Sequence, residues 1–419
     1  MTVISNIERR IKVYAALPVL NESENISQVV DNLLTQEGVE VQLVICVNQP
    51  EEWWSDEHRT AICHDNQKTL EYLESLDDDR ISIVDKSSRG KGWIGKRHGV
   101  GWARKVAMDK ACELANDEDI ILGVDADTYY VADYAKAVVS SFNQNNLAVG
   151  FSAPYYHPLV GDKMTDTCML RYEIYMRNYA LNMLLIRNPY AFSAIGSGMA
   201  CTAKIYKKVR GLTPKMSGED FYFIQKLRKS GNIIIDCDEV IYPGNRFSNR
   251  VYFGTGPAMI KGSTGDWSSY PVYVQDQFLD VKATFDSFEE LFSKDISTPM
   301  DSFLLSAFSI ESNSIGELWK PLRENCNNMA SFVKAAIQKV DGLKVLQFLK
   351  ATHLDFPGSD EKRLQEFILR NFNPGEEISN ALNNIVLKGF MNSELNDLNL
   401  VRDFMFVNER KLQKKFNNA

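Results

Sequence analysis

Cysteine occurs only seven times in 419 residues, at positions 46, 63, 112, 168, 201, 237 and 326, and no two of these form a C-x-x-C pair. An odd, widely spaced set offers no disulfide framework and reads as buried thiols of a reducing compartment. Long hydrophobic runs are also missing. No stretch reaches about eighteen consecutive apolar residues, and the opening "MTVISNIERRIKVYAALPVL" has no cationic stretch followed by a long apolar segment. These absences predict a soluble, cytoplasmic protein with no transmembrane segment. Positive charge is in deficit: 47 Lys and Arg stand against 55 Asp and Glu, a net charge of -8. A general nucleic-acid or anionic-membrane surface is therefore disfavoured, while a local basic pocket remains compatible. Fixed-period repeats, low-complexity tracts and long Pro/Gly/Ser linkers are absent as well.

What is present is ample apolar material, 44% of the chain, enough at this length for two or three folding units. Up to about residue 245 short apolar runs alternate with helical segments. "KVYAALPVL", "ENISQVVDNLLTQ", "VQLVICVN", a long polar stretch, "RISIVDK", "GVGWARKVAMDKACELA" and "DIILGVDADTYY" follow one another. This order predicts an α/β fold with a mainly parallel sheet covered by helices on both faces. The sites of such sheets lie beyond the carboxyl ends of the strands. From about residue 270 the spacing becomes helical, as in "ASFVKAAIQKVDGLKVLQFLKAT". The division expected is thus 1–269 for the sheet domain and 270–419 for a helical region. Between the halves, "NRFSNRVYFGTGPAMIKGSTGDWSS" reads as loop and could close over a ligand or merely connect.

Four constellations bear chemistry. In "IILGVDADTYY", Asp125 and Asp127 end an apolar run, and in an extended chain they would share one face. Two adjacent anions need a cation, protons or water between them, so a divalent metal becomes a candidate; a solvated strand end would show the same residues. In "KMSGEDFYFIQKLRKSG", Ser217-x-x-Asp220 fits a capping box at a helix start, whereas the functional alternative makes Asp220 a general base. In "FSAIGSGMACTAKIYKKVRGL", Gly196, Ser197 and Gly198 make a turn or allow a ligand close to the backbone. The basic cluster "KSSRGKGWIGKRHGVGWARK", with Lys91 and Arg104, could attract a diphosphate or be a solvated loop. Histidine is scarce: only His157 and His353 follow the aspartate pair, and His157 beside tyrosines reads as structural more readily than as a third metal ligand.

The order of these elements over roughly residues 11 to 260 resembles family 2 glycosyltransferases of the GT-A fold. "ALPVLNESENI", with Pro18, Asn21 and Glu22, is similar to the family's Pro-x-x-Asn-Glu opening of the nucleotide pocket. "VDADT" matches its metal-binding D-x-D, "GSGMACTAKIYKKVRGL" its acceptor-side Gly-rich strand and helix, and "GEDFYFIQKLRKSG" its Glu-Asp at a helix start. The resemblance implies a hexosyltransferase-type enzyme that moves a sugar from a nucleotide-sugar donor, its co-substrate, to a hydroxyl acceptor on a sugar, glycan or small molecule. By that resemblance Asp125 and Asp127 would hold Mn or Mg and the donor diphosphate, Asp220 would be the catalytic base, and Glu219 would help hold the acceptor. Pro18, Asn21, Glu22, Asn48, Lys91 and Arg104 fall on the donor side, and Gly196, Ser197, Arg246 and Arg250 on the acceptor side. The sequence departs from the family at "VICVNQPEEWW", where Asn48 stands near the usual Asp pair; its amide could still read a pyrimidine edge. The insertion 49–80 and the region after 270 lie outside the family pattern and are expected to set acceptor identity or homo-oligomeric assembly.

Two other readings share part of the pattern. D-x-D-x-T also occurs in haloacid-dehalogenase-type phosphatases, with Asp125 as nucleophile, but that motif closes the first strand of its domain, and here three strand signals precede it. A pyrophosphorylase would need a Gly-rich signature where "PVLNESEN" stands. A non-catalytic sugar-nucleotide-binding protein on the same scaffold differs from the enzyme only in turnover. With no obvious histidine metal ligand downstream and Asp220 placed as a base, an inverting transferase is expected.

Overall fold

The computed structural model describes residues 11–248, 254–311 and 315–417. Two compact units result: one from the described residues of 1–159 and 192–257, the other from those of 160–191 and 258–419. The sequence cut at residue 269 does not anticipate that 160–191 joins the second unit.

In the first unit the strands are β1 (Val13–Val19), β2 (Val41–Asn48), β3 (Ile81–Lys86), β4 (Ile120–Gly123), β5 (Thr128–Tyr130), β6 (Ala148–Ser152), β7 (Met199–Thr202), β8 (Asn232–Ile234) and β9 (Ile241–Pro243). Seven form one sheet in the order β3-β2-β1-β4-β7-β6-β8, and β5 pairs with β9 separately. The first four strands run parallel. β7 is antiparallel to both β4 and β6, and β8 is parallel to β6. The sheet is thus mainly parallel, as the alternation predicts, and is followed by the expected helical region.

β1 and β2 are nearly continuous apolar runs because both of their faces are covered. The helix Ile26–Leu34 buries Ile26, Val29, Val30 and Leu33, one stripe at helical spacing. The helix Val100–Leu114 presents Ala103, Ala107, Met108 and Ala111 to the interior, mostly small residues that let it lie close to the sheet. The polar insertion is ordered: a 3-10 turn Glu51–Ser55 precedes the helix Thr60–Ser75.

Three local expectations are corrected. The run 120–130 is not one extended strand: the backbone turns after β4, with the Thr128 N–H on the Asp125 carbonyl at 3.3 Å, and resumes as β5. The helix at 219 starts without a capping box, since its cap is Gly218 in the left-handed region (φ 72°) and no side chain caps it. Thr255–Ser263, within the stretch read as loop, is helical.

In the second unit the helix Lys163–Leu185 packs along Leu395–Asn417, with Leu170, Ile174 and Leu181 in one core with Val401 and Met405. Glu173 is buried there between Arg177 and Arg402, and Arg177 also reaches Glu409 at 2.7 Å. No helix among the described residues is long and apolar enough to cross a membrane. Six of the seven cysteines are buried and all seven are unpaired.

One glycine fixes how the first unit brings distant residues together. A Cβ on Gly101 would lie 2.1 Å from the Lys215 carbonyl oxygen, so only glycine lets the chain leading to residue 219 cross the start of the Val100–Leu114 helix. Helix propensity favours alanine over glycine, but here overpacking opposes it. Gly101→Ala is expected to lose about 1–3 kcal/mol in chemical denaturation; a variant more stable than the parent would contradict the crossing.

Candidate active site

Arg104 lies in the first turns of the Val100–Leu114 helix, yet its side chain is only 3% exposed. A buried guanidinium must be paired on several sides. Its Nη2 donates to Asp125 Oδ1 at 2.7 Å and its Nε to Glu219 Oε1 at 3.0 Å. Nη1 donates to the carbonyls of Gly196 (3.2 Å) and Val124 (3.3 Å). Against the cost of burial, Asp125 and Glu219 hold the group protonated, its value well above that of a free arginine. Gly196 is required beside it, since a Cβ there would sit 2.5 Å from Nη2. One cation thus gathers residues from three separate stretches of the chain, 124–125, 196 and 219.

Asp220, the neighbour of Glu219, is half-buried at the helix start and accepts the Phe221 N–H at 2.7 Å. Burial, then the charge of Glu219, pushes its carboxyl up to about 7; the Phe221 N–H and Arg104 oppose this and Asp125 adds to it. A carboxyl near 7 suits proton transfer at neutral pH, whereas an ordinary one is too weak a base.

Asp127 points to a different arginine. Arg246 Nη2 lies 2.7 Å from Asp127 Oδ2, and the same guanidinium holds the buried Glu22. Because the motif is a turn, its two carboxylates are steered to Arg104 and Arg246 rather than left facing one another. Gly244 permits the approach of this segment: a Cβ would be 2.9 Å from the Asp127 carbonyl oxygen.

The residues expected on the donor side divide into two groups. Asn21 has φ 56°, a left-handed conformation that asparagine tolerates, and its N–H is held by Asn66 at 2.9 Å. Glu22 is fixed by Asn25 and Arg246, and Pro18 lies within β1. Asn48 is buried and its amide is engaged at both ends, donating to the Val19 carbonyl (2.8 Å) and accepting the Trp93 indole N–H (3.1 Å). Asn48 therefore braces the ends of β1 and β2 against the Trp93 loop. Lys91 is solvent-exposed and paired with Asp85 at 2.9 Å, not with either motif aspartate. Burial would raise the Asp85 carboxyl, but the N–H groups of Ser88 and Ser87 and the Lys91 ammonium hold it well below the usual range. The buried hydroxyl of Ser197 has no partner among the described residues. His157 is buried edge-on to Tyr155. Arg250 lies outside the described residues.

Two residues that hold the site were not singled out from the sequence. Tyr130 is buried, and its hydroxyl joins the Asp125 N–H to the Ser197 carbonyl, each at 3.1 Å. Its signal was the alternation in "TYY", which turns Tyr130 inward and Tyr129 outward. Asn66, from the polar insertion, holds Asn21 and Gln49, and nothing in its local sequence marks it.

The donor set can be tested for a divalent cation. No group of three or more His, Cys, Asp or Glu able to hold a metal occurs among the described residues. Asp125 and Asp127, with side chains 32% and 26% exposed, remain reachable. Two carboxylates are the hard oxygen donors that Mg or Mn takes, but each is already engaged by a different arginine, Asp125 by Arg104 and Asp127 by Arg246. The phosphatase alternative needs Asp125 at the end of its domain's first strand, and it follows β4.

Removing Arg104 would strand two carboxylates. Arg104→Met is expected to cost about 3–5 kcal/mol, as for a broken buried ion pair; a loss under about 1 kcal/mol in urea titration would show that these contacts are incidental.

No protein family matches the sequence, and neither does any curated protein. Among solved structures, the chain is similar to S. aureus TarS 1-349 in complex with UDP-GlcNAc, at 14% identity over 97% of this chain and 92% of that one, with a TM-score of 0.40. It is also similar to the mannosyltransferase PcManGT from Pyrobaculum calidifontis in complex with GDP-Man and Mn2+, at 13% identity over 83% and 88% of the two chains, with a TM-score of 0.39.

Proposed function

We propose that the chain is a GT-A glycosyltransferase of the family 2 type, moving a sugar from a nucleotide-sugar donor to a hydroxyl acceptor with inversion at the anomeric carbon. The observation that carries this reading is the single buried guanidinium of Arg104, which ties the D-x-D turn to the Glu219-Asp220 helix start. Donor chemistry and proton acceptance need to be neighbours in such a reaction, and nearly a hundred residues separate the two motifs in the chain.

In the proposed step the acceptor oxygen bonds to the anomeric carbon as the bond from that carbon to the diphosphate oxygen breaks. The acceptor's proton passes to the Asp220 carboxylate, and the nucleoside diphosphate leaves. A single displacement of this kind inverts the centre. Mn or Mg held by Asp125 and Asp127 would supply positive charge against the oxygen on which negative charge develops. Arg104 holds Asp125 and Glu219 in place throughout, and Glu219, bound through Oε1 to the Arg104 Nε, positions the helix start rather than accepting a proton. Asp220 has no such ion pair among the described residues and is the carboxyl assigned to take the proton.

The experiment is sugar transfer by wild type and Asp220→Asn, with donors chosen by a thermal-shift panel of nucleotide sugars with and without Mn. Asp220→Asn is expected to lower turnover roughly a hundredfold or more with donor binding retained. Near-normal transfer would leave the protein without this base.

A pH dependence follows. Folding raises the Asp220 value from 3.8 to about 7, so the stability contributed by its proton is complete below the unfolded value and is lost as the pH rises through the folded one. Wild-type activity should rise to a plateau above about pH 7. Asp220→Asn, which has no proton to lose, should melt higher than wild type at pH 8 and close to it at pH 4. An advantage for the variant that shrinks with rising pH would contradict the assignment.

A further inference from the structure

Three neighbouring strands of the first unit each carry a tyrosine on one outer face. β5 pairs antiparallel with β9, with Tyr129 directly opposite Tyr242. On the other side of β9, Tyr155 bridges to Ile241 in parallel, and the Tyr156 N–H donates to the Ile241 carbonyl at 3.0 Å. Side chains alternate across such a ribbon. Tyr130, Tyr155 and Ile241 therefore turn inward and are buried, while Tyr129, Tyr156 and Tyr242 share the outer face. Their ring centroids lie 6.2 Å apart from Tyr129 to Tyr242 and 6.3 Å apart from Tyr242 to Tyr156. Tyr129 is 51% exposed, and the other two are half-buried.

Tyrosine offers a ligand an apolar ring face and a polar tip. The hydroxyls of Tyr129 and Tyr242 make no hydrogen bond among the described residues. No Lys, Arg, Asp or Glu occurs in 128–130, 154–156 or 241–243. Single-stranded nucleic acid stacks on aromatic rings but needs cations along its backbone, so the ribbon is unsuited to it. Ring planes at 45° and 69° to one another also oppose a continuous flat stack. They suit a chain of saturated rings, whose C–H faces meet the tyrosine rings and whose hydroxyls meet the tips. Tyr129 stands two residues beyond Asp127, which keeps their Cα atoms within about 7 Å. Resting on the transferase reading above, we infer that this outer face is an acceptor subsite for a neutral, extended oligosaccharide, with successive sugar rings on Tyr129, Tyr242 and Tyr156. The acceptor is thereby narrowed to a glycan.

Calorimetric titration of wild type, Tyr129→Thr and Tyr242→Thr with maltohexaose, cellohexaose, chitohexaose and mannohexaose tests this, threonine being a residue that strands accept. A proline-rich peptide, the other chain that docks on aromatic surfaces, and UDP or GDP with Mn are titrated into the same preparations, with circular dichroism to establish folding. At least one hexasaccharide is expected to bind wild type, more tightly than its disaccharide and equally well at low and high salt. Each Thr variant should weaken that binding roughly tenfold and leave nucleotide binding unchanged. If neither variant folds, wild type labelled on its tyrosine rings carries the test: the NMR signals lost in Tyr129→Phe and Tyr242→Phe should shift when hexasaccharide is added. Equal binding by a folded Thr variant, unshifted ring signals, binding of the peptide in place of the sugars, or no hexasaccharide binding to wild type overturns the subsite. With Mn-dependent nucleotide binding intact, the transferase reading then stands. Hexasaccharide binding without any nucleotide binding leaves the ribbon a carbohydrate surface and overturns the transferase reading instead.

Discussion

The site depends on a charge that cannot be left alone. A guanidinium as buried as that of Arg104 is tolerated only when every side of it meets an acceptor, and here the acceptors come from Val124, Asp125, Gly196 and Glu219. Meeting that requirement folds the sheet's central strand end, the Gly-Ser-Gly turn and the 219–228 helix around one point. Function and fold share the constraint. The residue that assembles the carboxylates also sets their electrostatics, because Arg104 opposes the upward push on Asp220 without cancelling it.

Close backbone approach is the second requirement, and glycine meets it at the crossings that matter. Gly101 lets the 215–218 segment pass over a helix, and Gly196 leaves room for the guanidinium itself. In both places the missing Cβ is what allows Arg104 and Glu219 to come within hydrogen-bonding distance. The helical unit, by contrast, is organised around apolar contacts and a buried Glu-Arg network that involves none of the site residues.

Much of this was legible in the sequence, for identifiable reasons. Buried parallel strands write themselves as apolar runs, so β1, β2 and β4 stood out, and the ends of such strands are where a site was sought. The aspartate pair and Glu219-Asp220 were visible as acids, though a solvated strand end and a capping box would account for them locally, and it was their order along the chain that marked them. What escaped was whatever depends on long-range pairing. That Asn48 would spend its amide on Val19 and Trp93, and that Lys91 would turn to Asp85, requires knowing which loops meet. Ser217-x-x-Asp220 had the spacing of a capping box, but the left-handed Gly218 starts the helix one residue later and leaves Asp220 facing the site's charges. The break between β4 and β5 was hidden because "VDADT" is compatible with a strand or a turn; Tyr130, in β5 beyond the turn, is anchored on Ser197.

The central claim is that burial, together with the charge of Glu219 and against the opposition of Arg104, turns an ordinary aspartate into a base suited to neutral pH. The most direct measurement is a carbon-13 NMR titration of protein labelled at the aspartate carboxyl groups, with the Asp220 signal assigned as the one lost in Asp220→Asn. The account predicts a midpoint at about 7 for that signal. A midpoint close to the ordinary aspartate value of 3.8 would contradict it.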